Sequence, residues 1–148
     1  MNAHAQNCRY SWPMVTKACL SELRVVEVGS LPAGAYAARL FADFGADVIK
    51  VEPSEGDPTR HFPPLIDGGS GWFAYLNFGK KSVTSDKTDL AALLAGADVL
   101  IDSTGIERSH PSHLVAVDLS WFGKSGPYRV AGPEVAKGSA GHSRASCS

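Results

Sequence analysis

Residues 23–52 carry the pattern of a strand, a turn, a helix and a second strand in consecutive positions. Apolar side chains in the middle of this stretch recur at the spacing of one helical face: Ala33, Ala37, Leu40, Phe41 and Phe44. Pro32 suits a first helical position, and Gly45 suits the residue just after a last turn. Residues 25–28 and 48–51 are rich in valine and isoleucine, as parallel strands covered on both faces are. We therefore predict an α/β fold, with a mostly parallel sheet and flanking helices.

The turn after Gly29 is the first candidate binding site. A right-handed crossover places this turn at the carboxyl edge of the sheet, beside the amino end of the helix. Open α/β sheets bind anionic ligands there. Four basic residues are expected to surround the same edge, although each alone is more typical of a solvated surface charge: Lys50, Arg60, Lys80 and Lys81.

Composition excludes several classes of function. A chain of 148 residues with a net charge of −1 and dispersed lysines and arginines fits one domain without a nucleic-acid surface. Its 3 cysteines form no Cys-x-x-Cys pair, which argues against a disulfide framework or zinc and favours a reduced, cytoplasmic setting. The histidines lack metal-ligand spacing, so we expect no metal. No apolar stretch reaches membrane-spanning length.

The pattern along the chain predicts a flexible leader over 1–21, a folded domain over 22–129 and a disordered tail over 130–148. Within the domain we expect a surface excursion over 53–71 and then further elements. These are a short helix over 72–78 and strands over 80–86, 98–102 and 114–122. A further helix is expected through Leu90, Leu93 and Leu94. Thr88 or Asp86 is its expected cap, and Gly96 ends it.

The link between the last two predicted strands is short. Only eleven residues separate Asp102 from Leu114, and they show no helical periodicity. A parallel crossover usually needs about a dozen residues or more. We therefore expect part of this crossover to be missing.

The sequence of the first turn can be compared with two nucleotide-binding motifs. Gly29 and Gly34 flank it, but Leu31 stands where a dinucleotide fingerprint has its middle glycine. Glu52 lies where a ribose-binding carboxylate would be, so an NAD(P)-dependent Rossmann oxidoreductase stays open as a disfavoured alternative. A P-loop is excluded, because Ala35 follows Gly34 in place of the lysine.

Several ordered words resemble the N-terminal part of the family III CoA-transferases, the CaiB/BaiF type that includes α-methylacyl-CoA racemases. The words are AGAY at 33–36, LFADFGADVIKVE at 40–52, GDPTR at 56–60, NFGKKS at 77–82, ADVLID at 97–102 and FGKSGPY at 122–128. The resemblance implies a Rossmann-like CoA-binding domain, incomplete relative to the full family fold. It also implies acyl-CoA as substrate, no metal, and an interlocked homodimer.

The resemblance also implies where CoA lies. The thioester end is expected over Leu31, Pro32 and Ala33. The adenosine end is expected along Ser85, Asp86 and Lys87 and past Ser103, Thr104 and Gly105. Arg60, Lys80 and Lys81 are expected to help hold its phosphates.

The chain also departs from the family pattern. The aspartate that attacks the thioester in this family is expected beyond Ser148, so we expect no catalytic residue in this chain. The crossover helix that carries a CoA-binding arginine is not visible, and Arg108 is a candidate replacement. The racemase histidine would fall near Pro133, and the transferase and racemase subclasses stay open.

These features predict a truncated family member that binds CoA weakly and is inactive alone. A binding or dimerisation subunit that completes a longer homologue is the alternative.

Overall fold

The computed structural model describes residues 18–129. Its elements are β1 (Arg24–Val28), α1 (Pro32–Asp43), β2 (Asp47–Glu52), a 3₁₀ turn (Pro58–His61), β3 (Leu65–Ile66), β4 (Gly69–Ser70), α2 (Gly71–Asn77), β5 (Lys81–Thr84), α3 (Leu90–Ala95), β6 (Val99–Asp102) and β7 (Val115–Asp118). The expected tail over 130–148 and residues 1–17 of the expected leader lie outside the described part. Residues 18–21 lie inside it, and Leu20 packs against the core.

Five strands form one parallel sheet in the order β5-β2-β1-β6-β7. The first unit pairs as predicted, with Val25 opposite Val48 and Val28 opposite Val51. Helices flank the sheet, so the predicted α/β class is confirmed. A separate two-stranded hairpin joins β3 to β4.

Alternating side chains of the strands pack on two sides of the sheet. Val26, Val51 and Leu100 form one cluster with Leu94 of α3. Val25, Val48 and Ile101 form the other with Ala38 of α1. Both faces of the central strands are covered, which explains their continuous apolar sequence.

Helix α1 has the predicted bounds but a different buried face. Gly34, Ala35 and Ala38 are buried, whereas Leu40 and Phe44 of the predicted face are exposed. Small residues on the buried side allow a close approach of the helix to the sheet.

The cap of α3 differs from the prediction. The Asp89 carboxylate accepts hydrogen bonds from the amides of Ala91 (2.9 Å) and Ala92 (3.3 Å). The prediction of Thr88 or Asp86 as the cap is therefore wrong. Proximity decides this, because a capping side chain must reach the second or third helical amide.

The crossover into β7 is short and contains no helix. Residues 103–114 contain no helix or strand, yet β6 and β7 pair in parallel with Val99 opposite Val115. A loop without regular structure thus joins two parallel strands, and the absence of a crossover segment relative to the family stays a prediction. The predicted strand over 114–122 is shorter, because pairing ends at Asp118.

The excursion over 53–71 is not confined to the surface. Asp57 and Thr59 are buried although turns and exposed residues surround them. Asp57 caps the 3₁₀ turn through the amide and hydroxyl of Thr59. This segment therefore brings a carboxylate into the interior beside β2.

Candidate functional site

The turn between β1 and α1 packs closely against the end of β6. Gly29 has φ +103°, and a Cβ at this position would lie 2.4 Å from the Ser103 hydroxyl oxygen. The Ser103 amide donates to the Val28 carbonyl at 2.8 Å, and the Leu31 amide donates to the Ser103 hydroxyl at 3.4 Å. Residues 29–31 and Ser103 are thus brought together at one edge of the sheet.

The amino end of α1 is open at this turn. Leu31 is extended and its side chain makes no capping hydrogen bond, and the first turn contains no acidic residue. The first amides of an α-helix have no partner within the helix. They carry a partial positive charge that favours an anion.

A groove of about 260 Å³ runs along this edge. It brings together the predicted site residues Leu31, Ser103, Thr104 and Gly105, and the sequence analysis did not anticipate its remaining lining residues: Leu119, Ser120, Trp121 and Arg129. Pro32 and Ala33, the other two residues predicted at this turn, are the first two residues of α1 and directly follow Leu31. The groove therefore combines backbone amides, hydroxyls, one guanidinium and one indole.

Ser85, Asp86 and Lys87 lie elsewhere on the same edge of the sheet. They are exposed and follow β5, and the Ser85 amide donates to the Glu52 carbonyl at 2.9 Å. In the strand order β5 and β6 lie on opposite sides of the β2-β1 pair. The two predicted adenosine segments thus flank the β1–α1 turn from opposite sides.

The four basic residues line a different cavity. Lys50, Arg60, Lys80 and Lys81 meet around a space of about 120 Å³ beside α2. This is less than half the volume of the groove beside Leu31. The Lys81 ammonium is bonded to Asp47 at 2.6 Å, near the amino ends of β5 and β2.

A charge cluster is buried next to this cavity. The Glu27 carboxylate accepts from Lys50 (2.8 Å) and from Lys80 (2.6 Å), and Lys50 also contacts Asp57 (2.9 Å). All four side chains are at most 2% exposed. Two ammonium groups and two carboxylates therefore balance each other's charge.

Both lysines use their donors inside the protein. Lys80 donates to Glu27, to the Ala35 carbonyl at 2.7 Å and to Asn77 at 2.9 Å. Lys50 donates to the Gly29 carbonyl at 3.1 Å besides its two carboxylate partners. An ammonium has three donors. Direct contact of Lys80 with a CoA phosphate stays a prediction, and it would require these bonds to open.

The protein shifts the pKa values of the two lysines in opposite directions. Burial lowers the pKa of Lys80, and Glu27 offsets this only in part. Burial also acts to lower the pKa of Lys50, but the charge and hydrogen bond of Glu27, together with those of Asp57, outweigh it and raise the pKa above its ordinary value. Lys50 is therefore the more firmly charged member of the pair.

Glu52 is not free to bind a ribose. Its two oxygens accept from Nε and Nη2 of Arg60, each at 2.7 Å, and it also accepts from the Ser82 hydroxyl and the Asp57 amide. Burial raises the pKa of Glu52, but these hydrogen bonds outweigh it and lower the pKa to about 2. Both Glu52 and Arg60 are thus engaged, and this weakens the nicotinamide alternative.

Arg108 lies close to the groove. Its Nε donates to the buried Asp102 carboxylate at 2.8 Å, and Thr104 donates to the same carboxylate through its amide and hydroxyl. Asp102 thereby shapes the loop that begins at Ser103. Arg108 thus lies near the carboxyl end of β6 with Asp102 as its partner, and its role as a replacement for the family's arginine stays a prediction.

The sequence analysis missed the buried charge cluster, although a signal was present. Glu27 and Lys50 interrupt two otherwise apolar strands, and both fall on the same alternating side as Val25 and Val48. Parallel pairing of these strands sets Glu27 directly opposite Lys50. Two opposite charges in register on neighbouring buried strands predict an ion pair.

Residues 18–129 contain no group of three or more His, Cys, Asp or Glu placed to hold a metal. Among the same residues, no helix has the length and apolarity that crossing a bilayer demands.

The sequence model of CoA-transferase family III matches residues 20–133. The chain belongs to CoA-transferase family III. The resemblance that the motifs suggested is therefore confirmed. The CaiB/BaiF type is supported by a solved structure described below.

Curated relatives of this family III chain carry names of CoA-transferases. It is 34% identical over 130 residues to succinyl-CoA:D-citramalate CoA-transferase of Chloroflexus aurantiacus, which covers 74% of this chain and 32% of the relative. It is 34% identical over 135 residues to succinate–glutarate CoA-transferase of Agrobacterium fabrum, covering 74% and 34%. It thus spans about a third of the length of these relatives.

Solved structures share the fold. A CaiB/BaiF family protein from Brucella suis superposes with a TM-score of 0.67 at 33% identity, over 76% of this chain and 36% of that one. A hypothetical protein from Mycobacterium tuberculosis gives a TM-score of 0.70 at 28% identity, over 88% and 42%. The chain therefore shares its fold with a solved CaiB/BaiF family protein.

Proposed function

We propose that residues 18–129 form the CoA-binding part of a family III CoA-transferase. The observation that carries the proposal is the groove that joins Leu31 at the open end of α1 to residues 103–105 at the end of β6. Family membership supplies the ligand class. The diphosphate of CoA would lie against the first amides of α1. Because the pantetheine arm separates the diphosphate from the thioester, the thioester end would then lie beyond residues 31–33, where the resemblance implied it.

The chemistry of the groove suits such a ligand. The first amides of α1 can donate to phosphate oxygens. The hydroxyls of Ser103 and Thr104 already donate to the Val28 carbonyl and the Asp102 carboxylate, so they line the groove without a spare donor. Arg129 offers a guanidinium, which recognises phosphate with two parallel hydrogen bonds. Trp121 offers an aromatic face on which a purine can stack. Ser85, Asp86 and Lys87 stay in the proposal as exposed contacts on the other side of the turn.

The proposed reaction is transfer of CoA from an acyl-CoA thioester to a free carboxylic acid. In such a transfer, an aspartate carboxylate attacks the thioester carbon, forms a mixed anhydride and releases the CoA thiolate. We expect that aspartate in the length of the relatives that this chain does not span. The 148-residue chain is therefore proposed to bind CoA without transferring it.

The binding proposal is tested by calorimetric titration of the chain with CoA, using Leu31→Glu and Leu31→Gln. A carboxylate at this position repels phosphate but favours the helix start, so folding is preserved. We expect saturable CoA binding by the wild type, about tenfold weaker binding by Leu31→Glu and little change for Leu31→Gln. Equal affinity of the two variants would contradict the site.

The activity proposal has a separate test. The purified chain is incubated with succinyl-CoA and a free dicarboxylic acid, and thioester exchange is followed by chromatography. We expect no exchange. Measurable turnover would show that the chain alone carries the reaction.

An association role is favoured by one further observation. Val115 and Val117 of β7 are 61% and 42% exposed at the edge of the sheet, which suits contact with more polypeptide. Co-purification with a longer homologue would support this second role. A chain that ignores such a partner would count against it.

A further inference from the structure

The buried charge cluster lies directly beneath the turn over which CoA is proposed to bind. Lys50 reaches up from β2 to the Gly29 carbonyl, which opens the turn. Lys80 reaches from the residue before β5 to the Ala35 carbonyl, in the first turn of α1. The two ammonium groups therefore bracket the turn between residues 29 and 35.

Glu27 joins these two supports. It lies on β1, immediately before the turn, and accepts from both lysines. Asp57 completes the charge balance on Lys50, and Asn77 takes the remaining donor of Lys80. Each ammonium thus has one fixed position, set by side chains from several segments of the fold.

Stability alone does not account for this arrangement. Well-packed apolar residues of similar volume usually stabilise a protein as well as a buried ion pair does. A charged cluster gives something else, because each lysine donor is directed at one carbonyl of the turn. That direction fixes where the neighbouring amides point.

We propose that Glu27, Lys50 and Lys80 are positioning residues that hold the Gly29 and Ala35 carbonyls and so fix the turn for CoA. This inference rests on the proposed function. On this proposal the three side chains act through the backbone, so for Lys80 an internal role replaces the direct phosphate contact that the resemblance implies. Their effect passes through the backbone of residues 29–35, whose amides must keep one orientation to meet a phosphate without reorganisation.

The first test uses Lys80→Met, which keeps the length of the side chain and removes its three donors. Hydrogen exchange is followed at the Leu31 and Ala35 amides, which bond to Ser103 and to the Leu31 carbonyl. We expect exchange there to rise about tenfold, because local opening becomes easier. The Leu93 amide in α3 should keep its wild-type rate.

A second variant guards against misfolding. Lys80→Met leaves Glu27 with one fewer positive partner, which can destabilise the whole domain. Glu27→Gln with Lys80→Met removes one charge of each sign and keeps the contact of Lys50 with Asp57. Arg24→Met is the matched control, because Arg24 pairs with Asp47 at the other end of β1.

The second readout is the CoA dissociation constant, measured calorimetrically on the same folded proteins. It should rise about tenfold in the double variant and stay unchanged in Arg24→Met. The inference is overturned if exchange at Leu31 and Ala35 is unchanged, or if it rises equally at Leu93. If wild-type protein does not bind CoA, the proposed function fails, while the exchange rates still decide whether the cluster positions the turn.

Discussion

Arg60 holds the carboxylate of Glu52 through two parallel hydrogen bonds, each 2.7 Å long. The carboxylate is buried, whereas Arg60 is 41% exposed. Burial acts to raise the pKa of Glu52, but the bonds from Arg60, Ser82 and the Asp57 amide lower it from 4.5 to about 2. The folded chain thus binds this proton far more weakly than the unfolded chain.

This shift predicts a loss of stability in acid. A carboxyl group whose folded pKa is lowered contributes stability above its unfolded pKa, and that contribution is lost as pH falls towards the folded pKa. The free energy of unfolding should therefore fall between pH 4.5 and about 2. Glu52→Gln should be less stable at pH 7 and should lose less over this window. Urea unfolding followed by circular dichroism measures both quantities.

Asp67→Asn is the control for this comparison, since it removes one carboxylate from the exposed hairpin turn. Its acid profile should match that of the wild type. The slope will not vanish in Glu52→Gln, because hydrogen bonds from Thr59 and Lys50 also lower the pKa of Asp57 against the effect of burial. Identical profiles for Glu52→Gln and wild type would contradict the assignment.

Gly29 is expected to tolerate no side chain. Its φ of +103° is unfavourable for other residues, and a Cβ would also approach the Ser103 backbone carbon to 2.9 Å. Gly29→Ala should lower the free energy of unfolding by about 2–4 kcal/mol, from strain and overpacking together. Gly68→Ala isolates the strain, since φ there is +82° with nothing within 4 Å. It should cost about 1–2 kcal/mol, and equal losses in the two variants would argue against close packing at Gly29.

The sequence predicted the sheet well because its signals are local. Strands that are covered on both faces carry apolar residues at nearly every position. Pro32 marks the start of α1 in the sequence, and the structure begins the helix there. The parallel pairing of β1 with β2 follows from the same pattern, whereas their register, with Val25 opposite Val48, was not predicted. These features depend on residues close together in the chain.

The site was harder to predict because its contacts join distant segments. The bond from Lys80 to Glu27 spans 53 positions, and the bond from Leu31 to Ser103 spans 72. A lysine near a strand end looks the same in sequence whether it faces solvent or a buried carboxylate. Only the three-dimensional contacts separate a residue that meets a ligand from one that supports the backbone.

The cap of α3 gives a test at a position that sequence spacing alone misplaced. The Asp89 carboxylate satisfies two of the first amides of this short helix. Asp89→Ala should lower the free energy of unfolding by about 1 kcal/mol. Thr88→Ala, one residue earlier, should change it by less than about 0.5 kcal/mol. Thermal or urea unfolding gives both values, and a larger loss in Thr88→Ala would restore Thr88 as the cap.

Strand β7 is expected to drive self-association of the chain. It lies at the edge of the parallel sheet, and Val117 is 42% exposed on the same face as Ile101. An edge strand combines unpaired backbone groups with apolar side chains, which favours pairing with another chain, and an edge lysine opposes it. Val117→Lys should weaken association about tenfold, since burying a valine is worth roughly 1.5 kcal/mol. Sedimentation velocity over a concentration series measures the effect.

The control variant is Ile66→Lys, which adds the same charge on the exposed β3–β4 hairpin, away from β7. If both variants weaken association equally, the general charge and not the β7 edge controls it.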